Sequence, residues 1–91
     1  MAELEQTRLV ATEIPGPRSR ELIERRRAAL PAGVGTTLPV FATRASGGIV
    51  EDADGNRFID LASGIAGTTV GSSAPRVVGA VGEQLDRFTH T

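Results

Sequence analysis

The sequence contains no cysteine, no lysine, no tryptophan and no tyrosine. Without Cys there is no disulfide framework, no thiolate nucleophile and no thiolate metal site, and the redox compartment is left undetermined. Without Lys a phosphate loop of the Walker type is excluded, and all ten basic residues are Arg. The aromatic side chains are Phe41, Phe58 and Phe88 alone, so little is available to anchor a deep core. No run approaches the ~18 apolar residues of a membrane-spanning helix, and the opening "MAELEQTRLVATEIPGPRSR" has neither the basic start nor the apolar centre of a signal peptide. A cytoplasmic protein with no membrane partner is the default. Eleven carboxylates oppose the ten arginines, for a formal charge of -1, so no bulk field draws the chain to nucleic acid.

What is present is organised in blocks. At 91 residues the chain is one small domain or part of a larger one, and an independent domain of this size buries roughly two-thirds of its unfolded surface. Residues 1–18 read as a flexible N-terminal arm ending in "IPGPR", which packs on something else or stays mobile, since Pro15 and Pro17 oppose regular structure. "SRELIERRRAAL", residues 19–30, predicts a helix with Ser19 as cap, Glu21 in the first turn, a Glu21/Arg25 pair, and a thin apolar stripe of Leu22, Ile23 and Leu30. "PAGVGTTLP" then reads as a linker. "VFATRA", "GIVEDA" and "RFIDLA" are short β-type runs, separated by Gly47-Gly48 and by "DADGNR", in which Asp54-Gly55 is a strong hairpin signal. They predict a three-stranded antiparallel meander. "PRVVGAVGEQLDRF" places Val77, Val78, Val81, Leu85 and Phe88 at helical spacing, with Pro75 in the first turn and Ser72 or Ser73 near the cap. Gly79 and Gly82 weaken that helix by roughly 1 kcal/mol each relative to Ala, so it depends on packing against other parts of the protein. The fold class is α+β: an arm and helix, the meander, then a C-terminal helix.

Few residues here point to chemistry on their own. Asp52, Asp54, Asn56 and Asp60 invite a calcium-loop reading, but that loop needs glycine at its sixth position and Glu at its twelfth, where counting from Asp52 gives Arg57 and Ser63. A hairpin turn with solvated carboxylates is the preferred reading. Gly64, Gly67 and Gly71 lack the G-x-G-x-x-G spacing of a phosphate cradle. Arg25-Arg26-Arg27 lies beside Glu21 and Glu24 without interleaved aromatics, which favours a solvated helix face over a nucleic-acid patch. His90 is the single histidine and has no nucleophile beside it. No complete active site is visible, and neither a catalytic residue nor a metal ligand is assigned.

The motifs taken together are specific. The pattern D-x-x-G-x-x-x-x-D-x-x-x-G-I-A, carried by Asp52, Gly55, Asp60 and Gly64-Ile65-Ala66 and followed by Gly71, Pro75, Val78, Gln84 and a terminal "THT", resembles the N-terminal region of the class III aminotransferases, pyridoxal-phosphate enzymes of fold type I. Within that class it is most similar to the bacterial 4-aminobutyrate aminotransferases, to which "RELIERRRAALPAGVG" and "TEIPGPRS" are also similar. Departures from the family pattern fall at Gly67, Thr69, Ser72, Ala74, Gly79 and Gly82.

The resemblance implies that residues 19–91 are a partial small domain whose large cofactor-binding domain is absent. It implies a homodimer and an ω-amino acid substrate, with 4-aminobutyrate and 2-oxoglutarate giving succinate semialdehyde and glutamate in the full-length family. It also places Gly64 and Ile65 in the substrate pocket, where Gly64 keeps the backbone slim and Ile65, stiff and β-branched on a strand end, forms a fixed wall for the substrate methylenes. Such a reaction needs a Lys to hold pyridoxal phosphate and move the proton, and a carboxylate on the pyridine nitrogen. This chain has no Lys and ends at Thr91, so it is expected to be a truncated part of such an enzyme, inactive and binding no cofactor alone. Two other readings stand open: a non-catalytic remnant or interaction fragment, and a segment of another class III ω-aminotransferase such as an acetylornithine or ornithine aminotransferase.

Overall fold

The polar sequence between the second and third β-type runs organises the chain, and the computed structural model, which describes residues 3–90, shows how. Strands β1 (Ala42–Ser46), β2 (Ile49–Asp52) and β3 (Arg57–Ile59) form an antiparallel sheet in the order β1-β2-β3, the expected meander. Val50 pairs with Ala45 on one side and Phe58 on the other, and the register slips by one residue between Ala42 and Arg44. Gly55 closes the β2–β3 turn at φ 82°, a conformation that excludes most side chains.

The carboxylates and amide of that turn are structural acceptors rather than solvated groups, which corrects the sequence expectation. Asp52 Oδ1 accepts from the backbone N–H of Asp54 and of Asn56, each at 2.9 Å, and Asp52 is buried. Asn56, 0% exposed, turns its Oδ1 outward to accept from the N–H of Ala11 at 2.7 Å and of Thr12 at 2.9 Å. Its Nδ2 donates to Thr12 Oγ1 at 2.9 Å and to Asp52 Oδ2 at 3.1 Å. One side chain thus ties the N-terminal arm to the hairpin.

The arm packs on the sheet along its length. Leu9 and Arg57 exchange backbone hydrogen bonds of 3.0 and 2.8 Å, adding an isolated bridge outside β3. Leu4 N donates to Ser46 Oγ at 2.8 Å, and Gln6 spans the β1–β2 turn, donating to Ser46 O and accepting from Gly48 N. Among the described residues Leu4 and Ile49 are the buried hydrophobic side chains, at 6% and 4% exposure. The arm and sheet are therefore joined chiefly by hydrogen bonds.

Helix α1 (Pro17–Ala29) begins two residues earlier than expected, and Pro17 opens it instead of forbidding it. A proline at the first helical position loses nothing, because its missing N–H would have no intrahelical partner. Ser19 is not the cap; it lies buried inside the first turn. The capping oxygens come from the hairpin, where Asp54 Oδ1 accepts from Arg18 N at 2.7 Å and Oδ2 from Ser19 N at 2.9 Å. A Cβ on Gly16 would overlap the Asp54 carboxyl, so glycine at that position is what lets the turn dock. At the other end Arg26 donates to the Val34 and Gly35 carbonyls, and Arg27 pairs with Glu24 at 2.7 Å, so Arg26 and Arg27 fold back on their own helix and linker.

A single turn, α2 (Ser63–Ala66), not anticipated from the sequence, precedes helix α3 (Pro75–Leu85). The residue before α3 is Ala74 and no side chain caps it, contrary to the serine expected there; Phe88 lies beyond its last turn.

Replacing Asn56 with Ala leaves two arm N–H groups and an Asp52 oxygen without partners. Asn56→Ala is expected to destabilise the arm–sheet unit by about 2–4 kcal/mol, read by denaturant unfolding, with loss of amide protection at Ala11 and Thr12. For Asp54, partial burial pushes the carboxyl up, but hydrogen bonds from Ser19 and Arg18 and the Arg18 charge outweigh it and hold the group below its ordinary 3.8. A depressed folded-state pKa contributes stability that is present above the ordinary value and is lost as pH falls through the lower one. The Arg18 and Ser19 amide resonances are expected to titrate with a midpoint below 3.8, and Asp54→Asn to abolish that titration.

Candidate functional site

The glycine-rich segment after β3 is a loop with both feet on the same turn of the sheet. Asp60 N donates to Gly48 O at 2.9 Å, fixing the first foot. Gly47 and Ser72 exchange hydrogen bonds of 3.0 and 2.8 Å, fixing the second. Gly71, at φ 90°, lies against Gly47 so closely that a Cβ there would sit 3.0 Å from the Gly47 Cα. The close backbone approach at Gly71 is therefore an approach of the chain to itself.

Between the feet the backbone winds the wrong way. Ser63, Gly64, Ile65 and Ala66 all have φ between 51° and 63°, a left-handed turn. Asp60 Oδ1 accepts from Ser63 N at 2.9 Å, and Thr68 N donates to Ser63 O at 2.9 Å. Ile65 thus occupies a left-handed turn and not the strand end expected for it, and its side chain is 96% exposed. Leu61, at the loop's start, is 91% exposed. Left-handed geometry costs ~1–2 kcal/mol per non-glycine residue, or about 3–6 kcal/mol for Ser63, Ile65 and Ala66 together. Fully burying Leu61 and Ile65 would return ~1.5–3 kcal/mol each. The two quantities are of one size.

The loop runs into α3, whose apolar stripe is left largely uncovered by the described residues. Val77, Val78, Val81, Leu85 and Phe88 are each more than half exposed. Val70, Ala74, Pro75, Val77 and Val81 line an open groove of about 700 Å³. A second groove of about 480 Å³ lies on the sheet, between the linker and Val40, Val50 and Phe58. Gly64 and Ile65, the two residues expected at a substrate pocket, are brought together at the loop apex but line neither groove. His90 is exposed. Among the described residues no group of three His, Cys, Asp or Glu side chains is placed to hold a metal ion, and no helix is long and apolar enough to cross a membrane.

The sequence model of the aminotransferase class-III family matches residues 30–91, which takes in the sheet, the loop and α3. This chain belongs to the class III aminotransferase family. The family is pyridoxal-phosphate-dependent. Over all 91 residues the chain is 64% identical to a 4-aminobutyrate aminotransferase of Mycobacterium leprae, but covers 20% of that protein's length. It is 41% identical over 83 residues to an alanine/serine racemase of Pyrococcus horikoshii, covering 90% of this chain and 18% of that one. Among solved structures it superimposes on an omega-transaminase from Sphaerobacter thermophilus with a TM-score of 0.73 at 29% identity, over 85% of this chain and 19% of that one. The chain thus spans about a fifth of the length of the curated relatives it matches. Its fold is that of the corresponding part of those enzymes, a partial small domain.

Signals for Ile65 as an exposed apex were present in the sequence only as Gly64 and Gly67 flanking it. The uncovered α3 stripe is expected to make the 91-residue chain self-associate. The doubly substituted Val77→Glu, Val81→Glu chain should sediment as a monomer where the unsubstituted chain shows concentration-dependent association.

Proposed function

We propose that this chain is the N-terminal part of a 4-aminobutyrate:2-oxoglutarate aminotransferase subunit, cytoplasmic and homodimeric, in which Gly64 and Ile65 meet an ω-amino acid substrate. The observation that carries the reading is the identity of 64% maintained over the whole of this chain with a 4-aminobutyrate aminotransferase. The segment is also 41% identical to an alanine/serine racemase, so the substrate is inferred from the degree of identity and not from a motif. Residues 1–18 serve as an arm clasping the small-domain segment of residues 19–91.

The residues present do not by themselves fit pyridoxal phosphate. The chain offers no Lys, and the apex carrying Gly64 and Ile65 stands in solvent rather than in an enclosed site. Bound in a whole enzyme of this family, pyridoxal phosphate would supply an electron sink. The part assigned to this chain is narrower: Ile65 offers a stiff apolar wall, Gly64 keeps the backbone beside it thin, and the α3 stripe supplies apolar surface to a covering body.

The test is to sequence the transcript and genomic DNA beyond the Thr91 codon, and to assay both products. The 91-residue chain is expected to show neither transamination of 4-aminobutyrate nor a stoichiometric covalent cofactor absorbance, because only its N-terminal amine could react. If the frame continues into a Lys-bearing domain, Ile65→Ala in that longer protein should change the ratio of kcat/KM for 4-aminobutyrate to that for 5-aminovalerate by roughly tenfold. A stop after Thr91, or an unchanged ratio, would overturn the assignment of enzyme or of wall respectively.

A further inference from the structure

We infer that the loop from Leu61 to Gly71 is a two-position element, its feet fixed on the Gly47-Gly48 turn while Ser63–Ala66 exchanges between the left-handed turn and a relaxed backbone. The inference rests on backbone geometry and exposure, and stands apart from the proposed reaction.

Three observations converge. First, three consecutive-turn residues other than glycine are left-handed, and one of them, Ile65, is β-branched, the class for which that region is most costly. Second, Ile65 and Leu61 stand 96% and 91% exposed, so among the described residues no apolar packing helps the hydrogen bonds of the turn to hold so costly a conformation. Third, the motion is confined. Asp60 N on Gly48 O and the paired Gly47 and Ser72 backbone bonds hold the ends, so the apex can rewind without disturbing the sheet. Inside the loop the left-handed form is closed by the bonds from Ser63 N to Asp60 Oδ1 and from Thr68 N to Ser63 O, both of which rewinding would break.

Hydrogen–deuterium exchange resolved to single amides on the dilute 91-residue chain tests this. Thr68 N reports the closed turn, and Thr12 N, held by Asn56, reports the arm–sheet unit. Ile65→Gly removes the β-branched strain and is expected to raise protection at Thr68 roughly five- to thirtyfold while leaving Thr12 unchanged. Ile65→Val, which keeps the branch, should leave both unchanged. Equal Thr68 protection in the unsubstituted and Ile65→Gly chains would overturn the inference, because the turn would then be held by something other than the balance described. Loss of protection at Thr12 together with Thr68 in the unsubstituted chain would also overturn it, since the loosening would be global.

Discussion

The buried amide of Asn56 is the joint on which the rest of this structure depends. It has two hydrogen-bonding ends, and the fold uses both: the carbonyl oxygen takes two N–H groups of the arm, while the amide nitrogen reaches Thr12 and Asp52. Each such bond is worth only about 0.5–1.5 kcal/mol net, but leaving any one of them unmade at a buried site costs more. The arrangement is therefore closer to all-or-none than its individual bonds suggest. Asp54, two residues away, extends the same turn to the first amides of α1, so a hairpin loop of a few residues gathers arm, sheet and helix.

That economy goes with a thin core. Only Leu4 and Ile49 are buried apolar side chains among the described residues, whereas the stripe on α3 and the sheet face around Val50 and Phe58 remain open. Polar bonds specify how the segments meet; apolar burial, which would normally supply most of the stability, is small among the described residues. The curated relatives that the chain matches are about five times its length, by the 20% coverage.

The sheet was legible because its signals are local: Gly47-Gly48 and Asp54-Gly55 mark turns, and the β-type runs between them are short and clear. The long stripe of α3 was legible for the same reason. What escaped the sequence was set by distant pairing. Asp54 caps a helix whose first residue lies far earlier in the chain, and this is why Ser19, a good cap by its own propensity, lies buried in the first turn instead. Asn56 read as a turn residue because its arm partners, Ala11 and Thr12, have polar backbone rather than a recognisable side-chain pattern. The family resemblance places Ile65 on a strand end; a left-handed turn there runs against the propensity of a β-branched residue, and such contradictions are legible only as geometry.

The contact of Gly47 with Gly71 and Ser72 is made almost wholly by main chain. A weld of that kind is indifferent to what the neighbouring side chains are. Ser72, Ser73 and Ala74 can therefore drift without moving the path of the chain from sheet to α3, while a single methyl group at Gly71 would prise the two strands of backbone apart. The segment's tolerance to change is thus sharply uneven, with freedom at most positions and almost none at one.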